Sequence, residues 1–258
     1  MIPEINTTRI LLALLLGLTA AAANVLGGWL IAHRQWSRRY LKYFISLGAG
    51  FMLATSLLEM IPESLKLHGE SNSSMLSGAT AVFVIVLAGY LLVHFFEHTA
   101  APHFHFGEET HREEISHAHA GYAALLGLVI HTFFDGVAIA SGLLVSNWLG
   151  GVIFVAIFLH KIPEGFTVAS LMLASGQSRR AAFVSSAILG GATLIGVGLM
   201  FLLRGVEPVA LPLSAGVTLY VAASDLIPEV NREPGVAVPT LVFLGVAAML
   251  VLKTIFHV

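Results

Sequence analysis

Eight apolar stretches, spanning about residues 10–32, 43–60, 79–96, 121–145, 150–174, 181–203, 211–226 and 238–256, leave this chain few ways to fold. A helix of roughly 20 apolar residues crosses the ~30 Å hydrocarbon core of a bilayer. Inside that core every backbone N–H and C=O must be satisfied within the protein, which favours helices. The stretches therefore predict an all-α polytopic membrane protein with eight transmembrane helices, one domain over residues 1–258. Charge agrees: 11% of residues are charged, against about a quarter in a soluble domain. The first stretch contains the small-residue run Ala20 to Ala23, as a signal peptide would. Its basic flank (Arg34, Arg38, Arg39, Lys42) follows rather than precedes it, which predicts a retained helix with the N-terminus outside.

The basic residues can be counted across that topology. Arg34, Arg38, Arg39, Lys42, Arg112, Arg179, Arg180 and Arg232 fall on inner loops, while Arg9, Lys66, Arg204 and Lys253 fall outside. The inner excess satisfies the positive-inside rule. Both termini are then expected outside, in a plasma or inner cell membrane, and the loop over residues 98–119 in the cytoplasm. The net charge of −2 gives no case for nucleic acid, and the absence of cysteine excludes disulfides, thiolate metal sites and cysteine nucleophiles.

Two short segments break the apolar pattern near the middle of the fourth and fifth stretches. One is His131-Thr132-Phe133-Phe134-Asp135-Gly136 and the other His160-Lys161-Ile162-Pro163-Glu164-Gly165. Each reads H-x-x-x-(acid)-G. Residues four apart share a helix face, so each segment sets an imidazole beside a carboxylate. Two such faces opposed supply two nitrogens and at least two oxygens, a donor set for a divalent cation. An ionisable group at mid-membrane costs a few kcal/mol or more unless paired or hydrated, and two copies at one depth point to a functional site. Pro163 frees the Leu159 carbonyl and is expected to kink the fifth helix beside Glu164. Lys161, three residues before Glu164, can pair with it and neutralise a carboxylate, in the place a second cation would take.

A second internal repeat lies at an offset of 166 residues. Leu47-x-Ala49-Gly50 and Glu59-x-Ile61-Pro62-Glu63 match Leu213-x-Ala215-Gly216 and Asp225-x-Ile227-Pro228-Glu229. The second and seventh helices run in opposite directions, so the repeats are expected to be inverted in a 3+2+3 arrangement, a transporter signature. Glu59 and Glu63 at one end, and Asp225 and Glu229 at the other, could concentrate cations at an entrance and an exit. The loop over residues 98–119 holds His103, His105, His111, His117 and His119, a tract of the kind that binds metal weakly.

The two central motifs, HTFFDG and HKIPEG, resemble the paired binding motifs of the ZIP family of zinc- and iron-regulated metal transporters, and the resemblance extends over nearly the whole chain. It implies eight helices, both termini outside, a His-rich cytoplasmic loop and a 3+2+3 inverted repeat. It places His131, Asp135, His160 and Glu164 on the positions of the primary transport metal. Members with a two-metal centre carry ligand-capable residues directly after each first histidine; Thr132 and Lys161 stand there in this chain and imply a single-metal site. The expected activity is transport of a divalent cation, Zn²⁺ above all, into the cytoplasm, with Fe²⁺ and Mn²⁺ also accepted by such donors. The expected partners are the ion and the lipid bilayer, with a homodimer allowed. The alternative is a membrane-embedded metal-dependent hydrolase, but neither H-E-x-x-H nor a serine nucleophile motif occurs.

Overall fold

A computed structural model describes residues 7–33, 38–69, 78–100, 118–203, 205–231 and 235–255. Among these residues there is no strand, and eight helical spans are long and apolar enough to cross a membrane. They are α1 (Thr7–His33), α2 (Arg38–Thr55, continued by Ser56–Met60 and Ile61–Gly69), α3 (Gly78–Ala100) and α4 (Ala118–Val145). They continue with α5 (Asn147–Ala174), α6 (Arg179–Leu202), α7 (Glu207–Tyr220, continued by Val221–Leu226 and Ile227–Asn231) and α8 (Ala237–Ile255).

Local chemistry sets several of these ends. Ser146, in extended conformation, accepts the Leu149 N–H to start α5, and Ser178 accepts the Ala181 N–H to start α6. These hydroxyls satisfy amide donors that a helix start leaves without an intrahelical carbonyl. Gly176, at φ 82°, makes the turn between α5 and α6 in a region of backbone space that L-residues avoid.

Two helices run further than the sequence suggests. The prolines at 62 and 228 mark expected ends near Met60 and Leu226, yet the chain stays helical to Gly69 and Asn231. A π-helical segment precedes each proline, Ser56–Met60 in α2 and Val221–Leu226 in α7. The Ile61 N–H bonds back to the Ser56 carbonyl, and the Ile227 N–H to the Ala222 carbonyl. Each wide turn places its proline at the second residue of a fresh α segment, where its missing N–H costs least. Pro163 lies inside α5, which remains one helix throughout.

The helices pack as two sets. In one, α1 lies along α5 and α6, and α4 lies along α5 and α6. In the other, α2 pairs with α8 and α3 with α7. The sets meet where α2 touches α5 and α4 touches α7. The closest approaches are reciprocal glycine contacts. A methyl group on Gly165 of α5 would overlap the Asn24 carbonyl oxygen of α1, and one on Gly27 the Ile162 carbonyl oxygen. The same relation holds for Gly136 with Thr193 and Gly196 with Phe133, joining α4 to α6. In the other set it holds for Gly50 with Val242 and Gly245 with Leu47, and for Gly89 with Leu213 and Gly216 with Val86. Small residues at such crossings let backbones pack closely in lipid. The outer helices α3 and α8 turn Phe83, Leu87, Phe95, Phe243 and Val251 outward, as an apolar solvent allows.

Candidate metal centre

His131 and Asp135 occupy one face of α4, and His160 and Glu164 one face of α5, at the line where these helices pack. One donor atom from each of the four lies within 4.8 Å of the others, and all four side chains are buried. His131 Nε2 is 3.3 Å from Asp135 Oδ2, and His160 Nε2 is 3.5 Å from the same oxygen. The rings stand with centroids 5.6 Å apart.

The tautomer of His160 follows from its neighbours. Its Nδ1 lies 3.1 Å from the Ala156 carbonyl oxygen and must donate a proton there. Nε2 of the neutral ring then presents a lone pair toward Asp135, the form in which imidazole binds a metal. Among the described residues, neither ring nitrogen of His131 has a hydrogen-bond partner, nor does Asp135 Oδ1. Buried polar atoms without partners are uncommon. With His160 Nε2, which also lacks a partner, these bring such atoms from α4 and α5 to the place where the two helices pack.

Lys161 is fully buried in the same cluster. Its ammonium lies 2.5 Å from Asp135 Oδ2 and 2.5 Å from Glu164 Oε2. The sequence spacing suggests the second contact; the first needs α4 and α5 side by side. The Thr132 hydroxyl donates to Glu164 Oε1. With both histidines neutral the cluster carries two carboxylates and one ammonium, a formal charge of −1. A single uncompensated charge in a low-dielectric interior is strongly unfavourable, so a further cation is favoured there.

The remaining expected positions scatter. Glu59 is buried on the π segment of α2, and Asp225 is buried on the π segment of α7. Glu63 is partly exposed and paired at 2.8 Å with Lys66. The Glu229 backbone is helical within Ile227–Asn231, and its side chain lies outside the description. His103, His105, His111 and His117 lie outside the described residues, and His119 is described only as backbone in α4. Sequence reading assigns nothing to Trp148 or to a contact of Lys253. Trp148 Nε1 donates to Glu59 Oε2 at 3.2 Å, and Lys253 Nζ lies 2.7 Å from Glu59 Oε1 and 3.0 Å from the Leu58 carbonyl oxygen. The legible signal was Pro62, which lacks the N–H that would reach the Leu58 carbonyl in an unbroken α-helix.

Fold and cluster together define a multi-pass membrane protein with a metal-competent donor set between two of its helices. The sequence model of the ZIP Zinc transporter family matches residues 7–124 and 105–253. The zinc transporter ZIP13 of Pongo abelii is 30% identical over 208 residues, covering 75% of this chain and 60% of that protein. The match thus spans less than two thirds of that relative's length. The zinc transporter ZupT of Salmonella heidelberg (strain SL476) is 29% identical over 261 residues, covering 95% of this chain and 98% of that protein. The zinc transporter ZIP9 of Micropogonias undulatus is 26% identical over 243 residues, with 76% and 78% covered. The chain belongs to the ZIP zinc transporter family, a family of transporters rather than enzymes.

Proposed function

We propose that the protein carries a divalent metal ion, zinc first among them, through the membrane into the cytoplasm, with His131, Asp135, His160 and Glu164 as the ligands. The observation that carries this reading is the convergence of four buried N and O donors within 4.8 Å on two packed helices. Two imidazoles and two carboxylates suit Zn²⁺ and are also accepted by Fe²⁺ and Mn²⁺. The names of the relatives support zinc.

Lys161 acts as a tethered counter-charge. With no metal it bridges Asp135 and Glu164, and an arriving ion takes over part of that role at the oxygens and ring nitrogens that face it. Occupation of this place by an ammonium favours one metal over two. Thr132 orients Glu164 by its hydroxyl. Asp225, Glu59, Glu63 and Glu229 then lie along the route or at its ends, and the His-rich loop over 98–119 supplies weak accessory binding.

The mechanism is alternating access around a midplane site, one helix group moving against the other. The inverted-repeat reading, α1–α3 against α6–α8 with α4 against α5, is supported by the matching π segments of α2 and α7 and by glycine contacts that recur in pairs. Both termini face outside in this reading.

The test is entry of ⁶⁵Zn²⁺ into proteoliposomes containing the wild-type protein or Glu164→Ala, both checked for folding. Entry with the first and none with the second is expected. Equal entry would remove Glu164 from the pathway, and entry with neither would remove zinc as cargo under those conditions.

A further inference from the structure

The contact between Glu59, Trp148 and Lys253 joins the two helix sets by polar groups. Glu59 stands on α2 and Lys253 on α8, both in the set α2, α3, α7 and α8. Trp148 stands at the start of α5, in the set that bears the metal cluster. Other hydrogen bonds described above, from Thr132, Lys161 and His160, stay within one set. We propose that Trp148, Glu59 and Lys253 form a polar latch between the two helix sets, with Lys253 as the positioning residue for the Glu59 carboxylate. The proposal rests on the reading that the sets move against each other.

Each part of the latch has a physical reason. Glu59 is 7% exposed, so its carboxylate is costly unless compensated. Lys253 is about one-third exposed and brings a charge from the end of a lipid-facing helix. Its ammonium touches Glu59 Oε1 and the Leu58 carbonyl, so one cation fixes both the side chain and the backbone opening of the π segment. That leaves Glu59 Oε2 aimed at the indole N–H across the interface. A hydrogen bond to an ionised acceptor is about twice as strong as a neutral one. If Lys253 is removed, Glu59 keeps its burial but loses its compensation, and the carboxylate favours water over Trp148. Opening the interface at this end requires the indole to leave Glu59, whereas the Lys253 bonds can persist because both partners travel together.

The absence of cysteine from the chain makes the test direct, since one introduced thiol reports alone. Val152 of α5 is 3% exposed, in an apolar cluster that includes Phe51 and Met52 of α2. The rate at which N-ethylmaleimide labels a Val152→Cys protein in metal-free proteoliposomes reads how often this interface opens. Trp148→Phe, which keeps an aromatic ring and removes the N–H, should raise that rate about tenfold, the shift expected from losing one hydrogen bond to a charged group. Lys253→Met should do the same, and Lys253→Arg should restore the parental rate. Equal rates for the parent, Trp148→Phe and Lys253→Met would overturn the latch. Should Lys253→Met not yield monodisperse protein, Trp148→Phe alone decides. Zinc entry is measured in the same vesicles. A parent that carries no zinc while Trp148→Phe speeds labelling would remove the transport reading and keep the latch. A parent that carries zinc while labelling ignores both variants would do the reverse.

Discussion

In the set formed by α1, α4, α5 and α6, glycine contacts close α1 on α5 and α4 on α6, and two of those glycines, Gly136 and Gly165, directly follow the acidic ligand candidates. In the set formed by α2, α3, α7 and α8 the same kind of contact closes α2 on α8 and α3 on α7, yet there the buried acids, Glu59 and Asp225, sit in the π segments. One packing device thus serves two purposes. In the first set it holds six interlocked polar side chains at fixed separations. In the second it braces helices whose irregular turns lie elsewhere. Backbone contact through glycine is indifferent to what stands on the next residue, so a ligand pair can be added beside it without rebuilding the crossing.

This contrast can be broken by substitution. The largest effect is expected from removing a donor of the first set: His160→Ala should lower zinc entry by at least about 100-fold, since even the partners that merely orient a ligand cost 10–100-fold when lost. Asp225→Asn in the second set should leave most entry intact; a comparable collapse there would mean that the route depends on both sets alike. Next comes Lys161→Met, which leaves Asp135 and Glu164 without their shared cation. Breaking a buried pair costs about 3–5 kcal/mol, so the melting temperature should fall without zinc and recover as zinc is added. A variant that melts like the wild type would show that Lys161 does not hold the cluster.

Smaller effects sharpen the same point. Gly136→Ala and Gly50→Ala should each lose about 1–3 kcal/mol of stability, because the methyl group meets backbone rather than a movable side chain. Entry per folded molecule should drop for Gly136→Ala, which displaces the Asp135 helix, and much less for Gly50→Ala. Acidification should reduce entry, since protons compete with metal for the imidazoles, by up to about tenfold per proton displaced for each pH unit. Entry that rises steadily on acidification would instead indicate proton drive. The least effect is expected from Glu63→Gln, which breaks only an exposed pair with Lys66 and should change stability by less than about 1 kcal/mol.

Much of this was legible in the chain itself. The apolar stretches mark the spans, and the spacing of His131 with Asp135 and of His160 with Glu164 places each pair on one face. The contact of Lys161 with Asp135 was not legible, because it depends on how α4 and α5 are turned toward each other rather than on spacing along one helix. The helix ends near Pro62 and Pro228 were misread for a local reason: a proline that stops an α-helix can be accommodated when a wider turn moves it to the start of the next segment. The glycine pairings were hidden too. Gly50 and Gly245 are far apart in the chain, and neither sequence context names its partner.

The π segments of α2 and α7 have a consequence for register. A wide turn holds one more residue than an α turn, and each residue turns a helix by about 100°. Wound as regular α-helix with every residue kept, Ser56–Met60 would leave everything from Ile61 to Gly69 rotated by that angle relative to the first half. Glu63 and Ser64 would exchange outlooks with their neighbours, and the buried Ser64 would be swung off its present bearing. The extra residue works as a phase shifter, setting the compass heading of one half of a span independently of the other.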